Sequence, residues 1–585
     1  MTSFRSSPVA RGLWPVASLF IACASPDAGR PYDVVITNAK IVDGTGNPWY
    51  YGDVAIRGDK IATIAPRNSL TSAPANERID AAGLVLSPGF IDIQSHSWSA
   101  LLFADGRDIG KVSQGVTSEI LGESRTPGPS NASLDTIYSG ITAEDSATVG
   151  AMRRFRGEHG FGAWLDSMEH HGNTVNVGSY LGAETPRVYA MGQREGQANA
   201  AELDTMRAIV RNAMRDGAFG ISSALIYPPG AYANTEELIE LAKAMAPLHG
   251  TYITHIRSEE SGLLTAMDEA ARIGKEGGVP VVMYHFKASG RPNWGLARPA
   301  IAKVDSIRAS GVDFKATMYP YPASGNNLSS CIPDWAHADG KLLENLADHT
   351  LYDRIRAEMT STARNAKIYC QHNPPDAYQI QGFKRPEYLK YQGKRLNEIA
   401  RDLKKDWVDA IIQLTIDERN ILGKITFGMS EENVARMISQ PWVVIGSDAG
   451  GFDPETTTAI LHPRSYGTFP RVLGKYARND HVLTLEDAVR KMTWSTAQIL
   501  GLRDRGLVKE GMFADLVIFD PATVIDNATF EKPHQLSTGI RDVFVNGVAT
   551  WRDGKLTGAK PGRALRGPGA TGATGASGGS GGSGA

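Results

Sequence analysis

The chain alternates short apolar runs with longer stretches in which apolar positions recur every three or four residues. The runs predict buried strands and the longer stretches predict helices, such as one that starts at Thr235 and one over 263–273. The predicted strands cover residues 87–96, 115–121, 174–181, 218–224, 251–255, 279–285, 312–319 and 442–448. Eight strands joined by helical crossovers indicate an α/β protein with a closed, parallel (β/α)8 TIM-like barrel.

Shorter alternating runs lie on both sides of this pattern and predict a second, all-β unit. Strands are expected at residues 34–36, 39–42, 53–56, 61–64, 514–519 and 543–547. Turns are expected at Asn38, Asp43-Gly44 and Gly58-Asp59. We therefore expect a small β-sandwich domain built from both chain ends, with the barrel inserted between its halves.

These patterns divide the chain into segments. The predicted boundaries are a leader at 1–30, sandwich parts at 31–87 and 506–560, the barrel at 88–505 and a tail at 561–585. Residues 331–440 are too long for an ordinary loop and carry helical patterns of their own, so we expect an insertion that covers the barrel mouth.

The two termini have unusual compositions. Arg5 and Arg11 precede an apolar run at 13–22 and small residues at 22–25, which is typical of a secretory signal peptide. We expect export to the periplasm or the medium, with lipid attachment at Cys23 as a variant. The alternative is a disordered extension on a cytoplasmic protein. The tail after Pro568 contains only Gly, Ala, Thr and Ser, so we expect a flexible appended linker.

Composition excludes several classes of function. The 585 residues carry a net charge of −2, and this lack of basic excess argues against binding to nucleic acid or to an anionic membrane surface. No later run is long and apolar enough to span a bilayer. Three cysteines are too few for a disulfide framework. We expect Cys331 and Cys370 to be free thiols, unless the fold brings their Cα atoms within about 7 Å.

Five predicted strands end in side chains that can bind metal ions. These are His96, Glu123, His255, His285 and Asp448. Barrel enzymes place their chemistry at the carboxyl ends of the strands, so these residues are expected to meet at one mouth.

A catalytic zinc ion needs about three nitrogen, sulfur or oxygen ligands and one open position. We predict His255 and His285 as the main ligands, with Glu123 and His96 as further ligands. Asp448 is predicted to be the general base that carries a proton from metal-activated water to the leaving nitrogen. A hydrogen-bonded histidine or a capping aspartate is the structural alternative for each of these residues.

Several motifs resemble the amidohydrolase superfamily, and most closely its N-acyl-D-amino-acid deacylase (D-aminoacylase) family. The similar motifs are Pro88-Gly89-Phe90-Ile91-Asp92, Ile226-Tyr227-Pro228-Pro229-Gly230-Ala231-Tyr232, Thr254-His255-Ile256-Arg257-Ser258-Glu259, Tyr319-Pro320-Tyr321, Gly446-Ser447-Asp448, His462-Pro463-Arg464, Gly467-Thr468-Phe469-Pro470-Arg471 and Gly511-Met512-Phe513-Ala514-Asp515-Leu516. The resemblance covers residues 32–556 and implies a TIM-like barrel with a β-sandwich, bound zinc and hydrolysis of an amide bond.

The resemblance also assigns substrate contacts and exposes two departures. The positions that hold the substrate carboxylate in the family match Lys287, Tyr319 and Arg464, while Tyr227 and Arg257 are expected to orient substrate or brace the site. The family pattern has a metal-binding histidine where this chain has Gln94 and a metal-binding cysteine where it has Ser124. We therefore expect one firmly bound Zn²⁺ on His255, His285 and Glu123, with a second site weak or absent.

These observations predict a zinc-dependent hydrolase of N-acyl amino acids, acting on carbon–nitrogen bonds other than peptide bonds. One alternative is a hydrolase of a cyclic amide, dipeptide, carbamate or lactone. Another is a barrel that binds a small ligand without catalysis. The sequence leaves open the acyl group, the side chain, the preferred handedness, the metal identity and whether the chain forms a homo-oligomer.

Overall fold

The structure is a computed structural model that describes residues 30–139, 146–361 and 370–571. Leader residues 1–29 and tail residues 572–585 lie outside this part of the chain. The strands of the described residues are β1 (Tyr32–Ile41), β2 (Tyr50–Arg57), β3 (Lys60–Pro66), β4 (Ala75–Asp80), β5 (Val85–Pro88), β6 (Phe90–Asp92), β7 (Val116–Leu121), β8 (Asn176–Ser179), β9 (Leu181–Gly182), β10 (Gly220–Ala224), β11 (Thr251–His255), β12 (Val281–Met283), β13 (Phe314–Met318), β14 (Ser324–Asn327), β15 (Tyr378–Gln381), β16 (Gly423–Thr426), β17 (Val443–Ile445), β18 (Leu516–Phe519), β19 (Ile540–Val545), β20 (Val548–Arg552) and β21 (Lys555–Leu556). The α-helices are α1 (Trp98–Leu102), α2 (Ile109–Val112), α3 (Ala132–Ser139), α4 (Ser146–Met152), α5 (Gly160–His171), α6 (Glu184–Met191), α7 (Ala200–Asp216), α8 (Thr235–Met245), α9 (Leu263–Gly277), α10 (Ala297–Ala309), α11 (Leu342–Ala347), α12 (His349–Met359), α13 (Leu396–Asp402), α14 (Trp407–Asp417), α15 (Glu431–Ile438), α16 (Arg464–Arg471), α17 (Leu485–Met492) and α18 (Trp494–Leu500).

The predicted barrel is confirmed. Strands β6, β7 and β8 pair in parallel, and so do β9, β10, β11, β12, β13 and β17 in that order. Their residues are almost all buried, as expected for parallel strands that are covered on both faces. The third barrel strand is interrupted at Tyr180 into β8 and β9, and this break divides the barrel strands into two groups.

Main-chain hydrogen bonds close the barrel on both sides of these two groups of strands. The amide of Phe219 donates to the carbonyl oxygen of Ser179 at 3.0 Å, which joins β8 to β10. At the other seam the amide of Asp448 donates to the carbonyl oxygen of Gln94 at 2.8 Å, and Ser95 pairs in parallel with Ala449. The segments that follow β6 and β17 are therefore held side by side at the mouth.

The β domain contains strands from both ends of the chain, as predicted. Its sheet has the order β21-β20-β19-β18-β5-β1-β2-β3, with β4 also paired to β1. One local expectation is wrong: Asn38 does not form a turn between two strands but lies inside β1, with a φ of 61°. The pairing of β1 with β2 shifts register between Ile36 and Ala39, so the polar break in the pattern is a β-bulge.

The insertion has its own small core. Strands β14, β16 and β15 form a three-stranded antiparallel sheet within the described residues. Apolar side chains of α11 to α14 pack together in a cluster that is separate from the barrel core. Helix α15 instead packs Val434, Met437 and Ile438 into the barrel core. The described part of the insertion thus extends from β14 to β16, over residues 324–361 and 370–426, and differs from the predicted bounds of about 331–440.

A disulfide joins Cys331 to Cys370, with their Cα atoms 5.2 Å apart. The expectation of two free thiols is therefore wrong. The sequence could not reveal the pairing because it depends on how the insertion folds over 39 residues. Cys331 ends a short helical turn whose residues Ser329 and Ser330 line the cavity described below, so the bond fixes one wall of that cavity.

Residues 561–571, which were assigned to the flexible tail, pack against the amino-terminal edge of the barrel. The amide of Leu565 donates to the carbonyl oxygen of Val177, and that of Gly567 donates to Gly217. The side chain of Leu565 is buried. The composition of this segment resembles a linker, but the segment also carries apolar positions that fit the barrel edge.

Among the helices of the described residues, none combines the length and apolar character that a bilayer crossing requires.

Candidate functional site

Three polar side chains converge at the carboxyl ends of β7, β11 and β12. The Nδ1 atom of His255 lies 3.0 Å from the Nε2 atom of His285 and 3.2 Å from the Oε1 atom of Glu123. Glu123 Oε1 also lies 3.6 Å from His285 Nε2. Four-coordinate zinc with ligands at 2.0–2.1 Å holds them about 3.3 Å apart, so this donor set fits a metal ion. The predicted group of Glu123, His255 and His285 is thus brought together.

Glu259 lies beside both histidines, at the ring nitrogens that face away from Glu123. No role was assigned to it from the sequence. Its Oε1 atom lies 2.8 Å from His285 Nδ1, and its carboxylate also pairs with Lys287. Burial alone would raise the pKa of Glu259, but Lys287 and the histidines hold it well below its usual range. A carboxylate on the second nitrogen of a ligating histidine fixes the ring orientation. Its place in the motif that begins at Thr254 was a signal that could have identified it.

The two histidines differ in their protonation. Burial lowers the pKa of His255. Burial and Lys287 also act to lower the pKa of His285, but Glu259 and Glu123 outweigh them and raise it to about 9. A metal ion requires neutral imidazole, so metal binding displaces the proton of His285. The Nε2 atom of His255 is buried without a hydrogen-bond partner in the described part of the chain.

Gln94 holds Glu123 and is placed as a hydrogen-bond donor. The amide of His285 donates to the Thr317 hydroxyl, which donates in turn to Gln94 Oε1 at 2.8 Å. The Nε2 atom of Gln94 therefore faces Glu123 and donates to its Oε2 atom at 2.8 Å. Both ends of the Gln94 amide are engaged, and the end toward the site has no lone pair to offer a cation.

A second group of possible ligands shares Glu123 with the first. His96 Nε2 lies 3.0 Å from Asp448 Oδ1 and 3.6 Å from Glu123 Oε2. The Oδ2 atom of Asp448 forms an ion pair with Arg464 Nη1 at 2.6 Å. Burial opposes the charge on Asp448, but Arg464 and His96 outweigh burial and lower its pKa to about 2. Asp448 is therefore ionised. It can accept a proton only when the positive charge of Arg464 or His96 beside it is reduced.

These residues lie at the bottom of a cavity of about 470 Å³. Barrel loops supply one side, and the insertion supplies the other with polar side chains. The lining residues from the insertion are Gly325, Asn326, Asn327, Ser329, Ser330, His337, Gly340, Leu342 and Asn420. The volume suits a small molecule.

The predicted carboxylate-binding residues lie close together, but they do not face the cavity equally. The Arg464 guanidinium lies 4.7 Å and Lys287 Nζ 5.8 Å from the ring centroid of Tyr319. Arg464 lines the cavity. Lys287 instead contacts Glu259 and His285, and the hydroxyl of Tyr319 contacts Met429 Sδ at 3.9 Å. Arg464 is the one of the three that can reach a ligand without rearrangement.

Tyr227 and Arg257 have different surroundings. Tyr227 lines the cavity, its ring packs edge-on against His255 at 5.2 Å, and its hydroxyl oxygen accepts a hydrogen bond from Asn326. Burial raises the pKa of Tyr227, so its hydroxyl remains protonated. Arg257 pairs with Glu269 and donates to carbonyl oxygens of the loop at 231–233. Arg257 thus braces the site and does not line it.

Several strand ends at the mouth have strained backbones. Ser124, His285 and Asp448 have positive φ values of 69°, 37° and 54°. Such conformations are unfavourable for residues other than glycine and cluster at functional sites. The carbonyl oxygen of Ser124 accepts a hydrogen bond from the amide of Glu184 at 3.0 Å, and Ser124 lines the cavity.

A buried ionic network beneath the cavity supports these strand ends. Lys111 Nζ donates to Asp92 Oδ2 at 2.6 Å, to Ser447 Oγ at 2.7 Å and to the carbonyl oxygen of Ala449 at 2.8 Å. Glu119 Oε2 lies 3.5 Å away, and the side chains of Lys111, Asp92 and Glu119 are fully buried. This network ties β6 to the segment that carries Asp448. No pattern in the sequence marked Lys111 as buried, since a lysine on a short helix is normally exposed.

Comparison with known proteins identifies relatives over nearly the whole chain. Residues 398–557 match the model of the amidohydrolase family. D-aminoacylase from Alcaligenes xylosoxydans xylosoxydans is 35% identical over 92% of this chain and 99% of its own. N-acyl-D-aspartate deacylase from the same organism is 34% identical over 92% of this chain and 96% of its own.

Solved structures point to the same relatives. One is a D-aminoacylase whose binuclear metal centre shows one-metal activation and second-metal attenuation. It has a TM-score of 0.73 and 34% identity, and the match covers 92% of this chain and 100% of its own. N-acyl-D-glutamate deacylase from Bordetella bronchiseptica, in complex with zinc and a phosphonate inhibitor that mimics the tetrahedral intermediate, has a TM-score of 0.74 and 31% identity over the same shares. This chain belongs to the amidohydrolase family, in the group that contains D-aminoacylase and the N-acyl-D-amino-acid deacylases.

Proposed function

We propose that the chain is a metal-dependent hydrolase that cleaves the amide bond of N-acyl-D-amino acids. The observation that carries this proposal is the convergence of Glu123, His255 and His285 beside Asp448, at the bottom of a cavity. Three relatives that span the chain are a D-aminoacylase, an N-acyl-D-aspartate deacylase and an N-acyl-D-glutamate deacylase, which supports the choice of substrate class and handedness.

One zinc ion per chain is proposed, held by Glu123, His255 and His285. When bound, such an ion lowers the pKa of water and polarises the amide carbonyl. The second group, with His96 and Asp448, shares Glu123 and has the amide nitrogen of Gln94 where the family has an imidazole. We therefore expect this second position to bind a cation weakly.

The residues of the chain divide the remaining work. Asp448 accepts a proton and returns it to the leaving nitrogen. Arg464 binds the substrate carboxylate with a charge-assisted pair, and the fork of its guanidinium also reaches Asp448. Tyr227 offers a hydroxyl hydrogen to the carbonyl oxygen of the substrate. The insertion closes one side of the cavity and reduces access of bulk water.

The proposal is tested by metal content and by a substrate panel on the purified full chain. The panel contains N-acetyl-D-amino acids with apolar, acidic and basic side chains, their L-enantiomers, hydantoin, dipeptides and lactones. We expect about one zinc per chain and hydrolysis of D-substrates only. The variant His255→Ala should lose both metal and turnover, while His249→Ala, outside the site, should keep both.

Other outcomes point to the alternatives. Turnover confined to hydantoin, dipeptides or lactones would replace the proposed substrate class. A chain that binds no metal and hydrolyses none of these compounds would support the ligand-binding barrel.

We also infer that the protein is exported. The leader pattern supports export, and so does the Cys331–Cys370 disulfide, because disulfides persist in oxidising compartments. Fractionation of cells that express the full chain should recover it outside the cytoplasm, with both cysteines unreactive to a thiol reagent until reduction. Recovery in the cytoplasm with reactive cysteines would contradict the inference.

A further inference from the structure

Lys424, on β16 of the insertion, is a buried lysine without a carboxylate partner among the described residues. Its side chain is 3% exposed. Burial lowers its pKa to about 7. The Nζ atom donates to three acceptors: the Asn326 side-chain oxygen, Ser330 Oγ at 2.7 Å and the carbonyl oxygen of Asn327 at 3.4 Å. The charge of Glu260 opposes this shift but does not offset burial, so the amine costs stability and its place beside the cavity wall calls for an explanation.

The contact with Lys424 decides how the Asn326 amide is oriented. In its charged form the Lys424 ammonium can only donate hydrogen bonds, so in that form the side-chain oxygen of Asn326 faces Lys424. The amide nitrogen of Asn326 then faces the other way and donates to the hydroxyl oxygen of Tyr227 at 3.1 Å. This assignment follows from the charged form of Lys424, which has hydrogens to donate and no lone pair.

The orientation of Asn326 decides in turn what Tyr227 can do. Its hydroxyl oxygen is occupied as an acceptor, so its single hydrogen is directed elsewhere. Tyr227 lines the cavity and packs against His255, so the open direction is the space beside the metal-binding group. A fixed donor aimed at the position where negative charge develops is the arrangement that stabilises an oxyanion.

We propose that Lys424 and Asn326 are positioning residues that hold the Tyr227 hydroxyl as a hydrogen-bond donor toward the carbonyl oxygen of the substrate. The inference rests on the proposed amide hydrolysis and adds a relay from the insertion to the barrel site. Both positioning residues belong to the insertion, so the insertion contributes to the chemistry and not only to the shape of the cavity.

A double-mutant cycle separates this role from a structural one. Tyr227→Phe is expected to lower kcat by about 10²-fold, as the loss of one such donor does. Lys424→Met is expected to lower kcat by about 10-fold, the lower end for loss of an orienting partner, with KM little changed. In the Tyr227→Phe background Lys424→Met should have no further effect, because coupled residues are not additive.

Two further variants provide a second test of the Asn326 donor and a matched control. Asn326→Asp keeps the contact with Lys424 but removes the amide donor to Tyr227. The Tyr227 hydroxyl must then donate to the new carboxylate, so kcat should fall. This variant keeps the test available even if Lys424→Met does not fold. Lys491→Met is the matched control, because Lys491 is also buried but donates to carbonyl oxygens of Gln440 and Val443 at the opposite barrel edge. Its effect should add to that of Tyr227→Phe.

A readout without turnover tests the relay independently of the proposed function. With 3-fluorotyrosine at position 227 of the zinc-loaded full chain, the ¹⁹F resonance should shift in Lys424→Met and Asn326→Asp but not in Lys491→Met. An unshifted resonance, or additive effects of Lys424→Met and Tyr227→Phe, would overturn the relay. A shifted resonance in a protein that hydrolyses no N-acyl-D-amino acid would overturn the proposed function and leave the relay standing.

Discussion

Replacing Asp448 by asparagine is expected to lower kcat by about 10²–10⁴-fold, the usual contribution of a general base. Asparagine has nearly the same shape and retains one oxygen, so the contact with His96 can persist while proton transfer cannot. Since Asp448 is outside the group of Glu123, His255 and His285, the variant should keep its zinc. The measurement is kcat on the best N-acyl-D-amino acid together with zinc content per chain.

The matched control for this variant is Asp453→Asn. Asp453 lies on the same loop and pairs with Arg107, but it does not line the cavity. It should retain near-normal kcat. Near-normal kcat in Asp448→Asn would show that another group carries the proton, and loss of zinc from that variant would show that Asp448 is needed to hold the metal.

Replacing Lys111 by methionine is expected to lower the free energy of unfolding by about 3–5 kcal/mol. The change keeps most of the side-chain volume but removes the charge, leaving the buried carboxylates of Asp92 and Glu119 without their cation. Lys111 also bonds to Ser447 and Ala449, on either side of Asp448, so kcat should fall as well. The measurement is urea denaturation followed by tryptophan fluorescence.

The control for this variant is Lys303→Met. Lys303 pairs with Asp268 at 2.7 Å, but both side chains are partly exposed. Surface pairs contribute about 0–1 kcal/mol, so this variant should unfold close to the wild-type midpoint. If both lysine variants shifted the midpoint equally, the buried network could not be a main support of the barrel mouth.

Much of the barrel could be predicted from the sequence because its strands are short buried runs that end in polar residues. The carboxyl ends of parallel strands share one edge, so His255, His285 and Glu123 were expected to meet there, and they do. The pattern says which edge a side chain occupies but not where its far end points. The resemblance assigned Lys287 to the substrate carboxylate, and in the structure its amine contacts Glu259 and His285.

Other features depend on contacts that no local pattern encodes. The Cys331–Cys370 disulfide and the contact between Lys424 and Asn326 arise from the fold of the insertion, across 39 and 98 positions of sequence. The bond from Gln94 to Glu123 depends on the Thr317 hydroxyl, which lies between Gln94 and His285 and orients the Gln94 amide. The resemblance marked Gln94 as unusual, and the geometry explains what it does instead.

The packing of residues 561–571 determines from which side of the barrel the chain leaves. Leu565 and Gly567 bond to the strand beginnings, whereas the cavity opens at the strand ends. A resin, electrode or fused partner joined after Thr571 would therefore be attached on the side away from the entrance. Immobilising the protein by this end should leave the path for small molecules unobstructed.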